Sequence, residues 1–114
     1  MDIARKAEGS HLKVVTTNYV IAELVALLTS RLRISRPQIL RVIDLIKASP
    51  NVVIAHVTPE IDAEAWTPLK ERPDKDWSLV DASSFVVMNH RGITEALTTD
   101  HHFDQANFVM LPHP

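Results

Sequence analysis

Residues 12–32 read LKVVTTNYVIAELVALLTSRL, and this stretch decides the fold. Leu12 to Thr16 is short and rich in β-branched residues, which suits a strand. Thr17 or Asn18 then caps a helix. Val20, Ile21, Leu24, Val25, Leu27, Leu28 and Leu32 recur at helical spacing, so the pattern predicts a mostly buried helix. A strand that passes at once into an apolar helix is the building unit of an α/β fold.

The alternation continues downstream. Ser35-Arg36-Pro37-Gln38 has the spacing of a capping box with proline in the first turn, and opens a helix carrying Ile39, Leu40, Val42, Ile43 and Ile46. Pro50 ends that helix, and residues 51–57 read as a buried strand. Thr58-Pro59 starts a third helix, which runs from residue 60 to about 69, before a polar loop over 70–76. Ser78 and Asp81 resemble a second capping box, opening a helix to about His90 that Gly92 closes. Residues 95–99 form a strand, 101–106 a helical turn and 108–111 a last strand. Upstream, residues 2–8 read as a short helix ended by Gly9. The whole predicts one domain over residues 1–114, a three-layer α/β/α fold with a mainly parallel sheet.

Composition narrows the chemistry. The 114 residues contain no cysteine, which excludes disulfides, thiolate metal sites and a cysteine nucleophile. Two glycines are too few for a glycine-rich phosphate loop. No apolar run has the length of a membrane span, so a cytoplasmic protein is expected. Formal charge is +4 over residues 1–58 and −6 over residues 59–114. The basic half is concentrated in Arg31, Arg33, Arg36, Arg41 and Lys47. Such asymmetry suits a protein holding an anion on one side and a cation on the other, or a solvated helical hairpin.

Parallel sheets place their sites off the carboxyl ends of the strands, and three acids fall at or near those ends. Glu23 is the only charged residue between Lys13 and Arg31, on an otherwise apolar helix. It reads as a salt-bridge partner or as a metal ligand or acid–base group. Asp81 reads as a helix cap or a ligand, and Asp100, directly after the 95–99 strand, as an N-cap or a ligand. Three carboxylates at one sheet edge repel each other, and a hard divalent cation, Mg²⁺ or Mn²⁺, resolves that repulsion. Such an ion can activate water against a phosphodiester. No base and orienting pair suggests Ser–His–Asp hydrolysis.

Three blocks carry a resemblance. Val15 to Leu24 resembles the second motif of PIN-domain ribonucleases, especially the toxin-like VapC-type branch. Asp76-Trp77-Ser78-Leu79-Val80-Asp81 through Phe85 resembles the third motif, and Gly92 through Asp100-His101-His102-Phe103, with Phe108 and Leu111, the fourth region. The resemblance implies a Mg²⁺- or Mn²⁺-dependent RNA endonuclease with Glu23, Asp81 and Asp100 as ligands and metal-activated water as nucleophile. It implies RNA as substrate and an antitoxin protein as partner. The basic hairpin with Arg31, Arg33, Arg36 and Arg41 would then face RNA phosphates. Trp77 would be a packed loop aromatic or stack on a base. Ser78 and Asp104 are accessory candidates. His101 and His102 are expected to be solvated or packed rather than ligands.

The chain departs from the family pattern at its start. PIN domains begin with a central strand ending in the first acid of the site. Here about 20–25 residues of that βα unit are expected to be lacking. The strands at 12–16 and 95–99 would then expose interior edges. They would close together or be bridged by a second chain, giving a homo-oligomer such as a strand-swapped dimer. Metal affinity would fall with the lost charge. Two other functions follow: a catalytically impaired PIN-like domain that binds RNA or protein, and a regulatory α/β domain that binds Mg²⁺ without nuclease chemistry.

Overall fold

The computed structural model describes residues 3–8, 11–98 and 101–111, with side chains over 13–98 and 102–109. Among these residues five strands form one sheet: β1 (Ile3–Glu8), β2 (His11–Thr17), β3 (Val52–Ala55), β4 (Glu95–Leu97) and β5 (Val109–Leu111). Their spatial order is β3-β2-β1-β4-β5. β2 pairs with β3 and β4 with β5 in parallel, whereas β1 is antiparallel to both β2 and β4. Four of the five strands therefore run one way, and the mainly parallel α/β sheet is present.

β1 corrects two expectations. Residues 3–8 are a strand, not a helix. They also occupy the place between β2 and β4, so those two strands neither join each other nor need a strand from a second chain. The segment IARKAE has helix-favouring composition. Two facing strand edges with unmet backbone groups outweigh that weak local preference.

Among the described residues five helices accompany the sheet: α1 (Asn18–Ala26), α2 (Arg36–Ala48), α3 (Pro59–Glu71), α4 (Leu79–His90) and α5 (His101–Gln105). Thr17 caps α1, its hydroxyl accepting the Val20 N–H. α1 runs on into a π-helical turn, Leu27–Arg31, where the Ser30 hydroxyl donates to the Ala26 carbonyl at 2.7 Å. Arg33, at φ 51°, turns the chain toward α2. Ser35 stands at the N-cap of α2 but makes no side-chain cap bond, so the expected capping box there does not form. α1 is also less buried than its periodicity predicts. Only Val20 is fully buried, the neighbouring apolar residues are half-buried, and Leu32 is 58% exposed.

The core lies around α4. Phe85 packs edge-on against Trp77 (5.2 Å, 79°) and Phe103 (5.0 Å, 85°), and tilted against Phe108 at 5.6 Å. Val15, Ala96, Ile93 and Met88 complete this cluster. A second, smaller cluster of Ala65, Ala82 and Val86 joins α3 to α4. Gly92 ends α4 with φ +65°, the left-handed geometry that glycine adopts without strain.

Candidate active site

The carboxyl ends of β2, β3 and β4 lie along one edge of the sheet, at Thr17, Ala55 and Leu97. α1 leaves from that edge, and three side chains anchor its start. Thr17 caps it, Asn18 Oδ1 accepts the Val57 N–H at 2.7 Å, and the Tyr19 hydroxyl donates to Asp62 Oδ1 at 2.8 Å. The Asp62 carboxylate favours the neutral phenol, so Tyr19 ionises above the ordinary phenol value. Glu23 follows on α1 and is exposed, so it does not bear the burial cost its apolar surroundings in sequence suggest.

Asp81 is different: it is 5% exposed, in the first turn of α4. The capping box expected here is complete. Ser78 Oγ accepts the Asp81 N–H at 3.0 Å, and Asp81 Oδ2 accepts the Ser78 N–H at 3.0 Å. The same Oδ2 accepts a second bond, from His102 Nδ1 at 2.8 Å. A carboxylate only accepts, so Nδ1 carries the proton. Oδ1 makes no hydrogen bond to any described residue.

A buried carboxylate with one oxygen accepting two hydrogen bonds and the other bonded to no described residue fits a hard cation, which takes oxygen donors. Among the described residues no three His, Asp or Glu side chains converge on one point. Asp100, the third expected ligand, lies outside the described residues. The structure thus places Asp81 buried and hydrogen-bonded in the first turn of α4, and Glu23 exposed on the helix that leaves the carboxyl edge of the sheet.

The accessory candidates have plain positions. Ser78 is the N-cap of α4, and Asp104 is exposed on α5. Arg31, Arg33, Arg36 and Arg41 are all exposed along the α1–α2 connection and α2. Trp77 is the packed loop aromatic, held against Phe85. The residue whose role the sequence reading missed is His102. It was expected to be packed or solvated, and its bond to Asp81 spans 21 positions with no short-range signal. Between β2, α1 and α4, a cavity of about 10 Å³ is lined by Thr16, Thr17, Val20, Ser84 and Phe103, room for about one water. Thr16 Oγ1, which lines it, is buried with no hydrogen-bond partner among the described residues.

Comparison with known proteins gives this geometry a family. A PIN domain model matches residues 1–109. The 23S rRNA-specific endonuclease VapC20 of Mycobacterium tuberculosis, in strains CDC 1551 and H37Rv, is 35% identical over 96 residues, 84% of this chain and 71% of that protein. A crystal structure of M. tuberculosis VapC20, described as a sarcin-ricin loop cleaving toxin, superposes with a TM-score of 0.73 at 34% identity. That match covers 83% of this chain and 71% of the other. With most of its length matched by the family model and by these relatives, the chain belongs to the PIN-domain family.

Proposed function

We propose that the chain is a metal-dependent RNA endonuclease of the toxin type, acting on structured RNA in the cytoplasm. Asp81 carries this reading: a buried carboxylate with one oxygen bonded to no described residue, in a chain 35% identical to a 23S rRNA-specific endonuclease. Asp81, Glu23 and Asp100 would hold Mg²⁺ or Mn²⁺. When bound, the ion supplies water activation and charge neutralisation for phosphodiester hydrolysis. Asp81 contributes a fixed oxygen, because the capping box and His102 prevent its carboxyl from turning. The exposed Arg31, Arg33, Arg36 and Arg41 would attract RNA phosphates.

The same hairpin also exposes Leu32, Leu40, Val42 and Leu45. Phosphates neutralise arginines but leave leucines wet, so a protein partner with acidic and apolar side chains, such as an antitoxin, fits this face as well. The test is incubation of the purified chain with total RNA in Mn²⁺ or in EDTA, beside Asp81→Asn, with cut ends mapped. Cutting by the wild type in Mn²⁺ alone is expected. Undiminished cutting in EDTA, equal cutting by Asp81→Asn, or binding without cutting overturns the proposal.

A further inference from the structure

We infer that His102 is a positioning residue that turns Asp81 so that Oδ1, not Oδ2, is presented to the cation; this rests on the metal-site reading above. An aspartate side chain rotates about its last bond with little preference between its oxygens. The capping-box N–H of Ser78 restrains that rotation at 3.0 Å, and the His102 imidazole adds a second bond to the same oxygen at 2.8 Å. Oδ2 is thereby held by two donors while Oδ1 makes no hydrogen bond to a described residue.

The imidazole is itself held. The next residue, Phe103, is 2% exposed and edge-on to Phe85 of α4. Backbone bonds from Ala106 N–H to the His102 carbonyl (3.2 Å) and from Phe108 N–H to the Phe103 carbonyl (3.0 Å) close the turn. The aromatic core thus sets where His102 sits, and His102 sets how Asp81 points. In sequence, His102 also lies two positions after Asp100, so its bond ties the segment carrying one acid to the side chain of another.

The experiment titrates Mn²⁺ into the folded full chain, reading free Mn²⁺ by electron paramagnetic resonance, for wild type, Asp81→Asn, His102→Ala and His102→Asn. RNA cleavage is measured alongside. Asparagine can place its amide N–H near the position of the imidazole Nδ1–H; alanine cannot. His102→Ala is expected to weaken Mn²⁺ binding about 10–100-fold, the usual cost of removing an outer partner of a ligand. It should lower kcat with little change in KM for RNA, and His102→Asn should recover most of both losses. Unchanged Mn²⁺ affinity in His102→Ala, or a loss in His102→Asn as large as in the alanine variant, overturns the inference. If His102→Ala does not fold, His102→Asn decides alone: near-wild-type affinity supports the inference and weak binding overturns it. If wild type and Asp81→Asn bind Mn²⁺ equally, or neither binds, the metal-site reading itself fails and takes this inference with it.

Discussion

α4 and α2 are nearly the same length, 12 and 13 residues, and both carry several large apolar side chains, yet they live in different surroundings. In α4 every residue from Asp81 to Met88 is buried. In α2 only Ile39 and Ile43 are, while Leu40, Val42 and Leu45 stay exposed, Leu45 at 67%. The difference comes from neighbours. α4 is packed by α1, α3 and α5, whereas α2 packs mainly against β3 and the π-helical turn. Burial is a property of position in the fold, and the chemistry divides along it. The fixed acid sits on the enclosed helix, and the four named arginines and the exposed apolar residues sit on the peripheral one and the connection that leads into it.

The largest effect should come from the enclosed side. Phe85→Ala removes the ring that contacts Trp77, Phe103 and Phe108, and should cost about 3–5 kcal/mol in denaturant unfolding. Asp81→Asn should lower RNA cleavage on the order of 100–1000-fold, the several kcal/mol expected of a metal ligand. Its stability, followed by thermal melting, should fall by only about 1 kcal/mol, since the amide keeps part of the capping box. Thr17→Ala, which removes the α1 cap, should cost about 1–2 kcal/mol in the same assay. On the peripheral side, Leu45→Ala should change unfolding by no more than about 0.5 kcal/mol. A Leu45→Ala cost near that of Phe85→Ala would break the comparison. The smallest effect is spectroscopic. Tyr19 is the only tyrosine, so phenolate absorbance reads one site. Its titration should run above the ordinary phenol value and move back down in Asp62→Asn, because the carboxylate that accepts its proton is gone.

What the sequence made legible was local. Leu12–Thr16, Thr17 and the spacing after it specify a strand, a cap and a helix within one stretch, and β2 and α1 follow. Ser78 and Asp81 satisfy each other three residues apart, so the box on α4 could be read before any fold was known. The similar pattern at Ser35 stays open, its side chain making no cap bond to the helix it precedes. The rest depended on distant contacts. IARKAE becomes β1 because β2 and β4 stand on either side of it. α1 and α2 remain partly exposed because no described residue covers their outer faces. His102 meets Asp81 from a helix of five residues, too short for periodicity to tell which side chain turns inward.

On the proposed function, Glu23, Asp81 and Asp100 act as one metal site on RNA. The most direct measurement is the Mn²⁺-dependent cleavage rate of a structured ribosomal RNA fragment by Glu23→Gln, Asp81→Asn, Asp100→Asn and the double variant Glu23→Gln/Asp100→Asn. Groups that work as a unit are grossly non-additive. Each single variant should therefore lose most of the rate, and the double variant should be no slower than the worse of its two parents. A single variant that cuts at the wild-type rate, or a double variant whose loss is the product of the two single losses, would contradict the account.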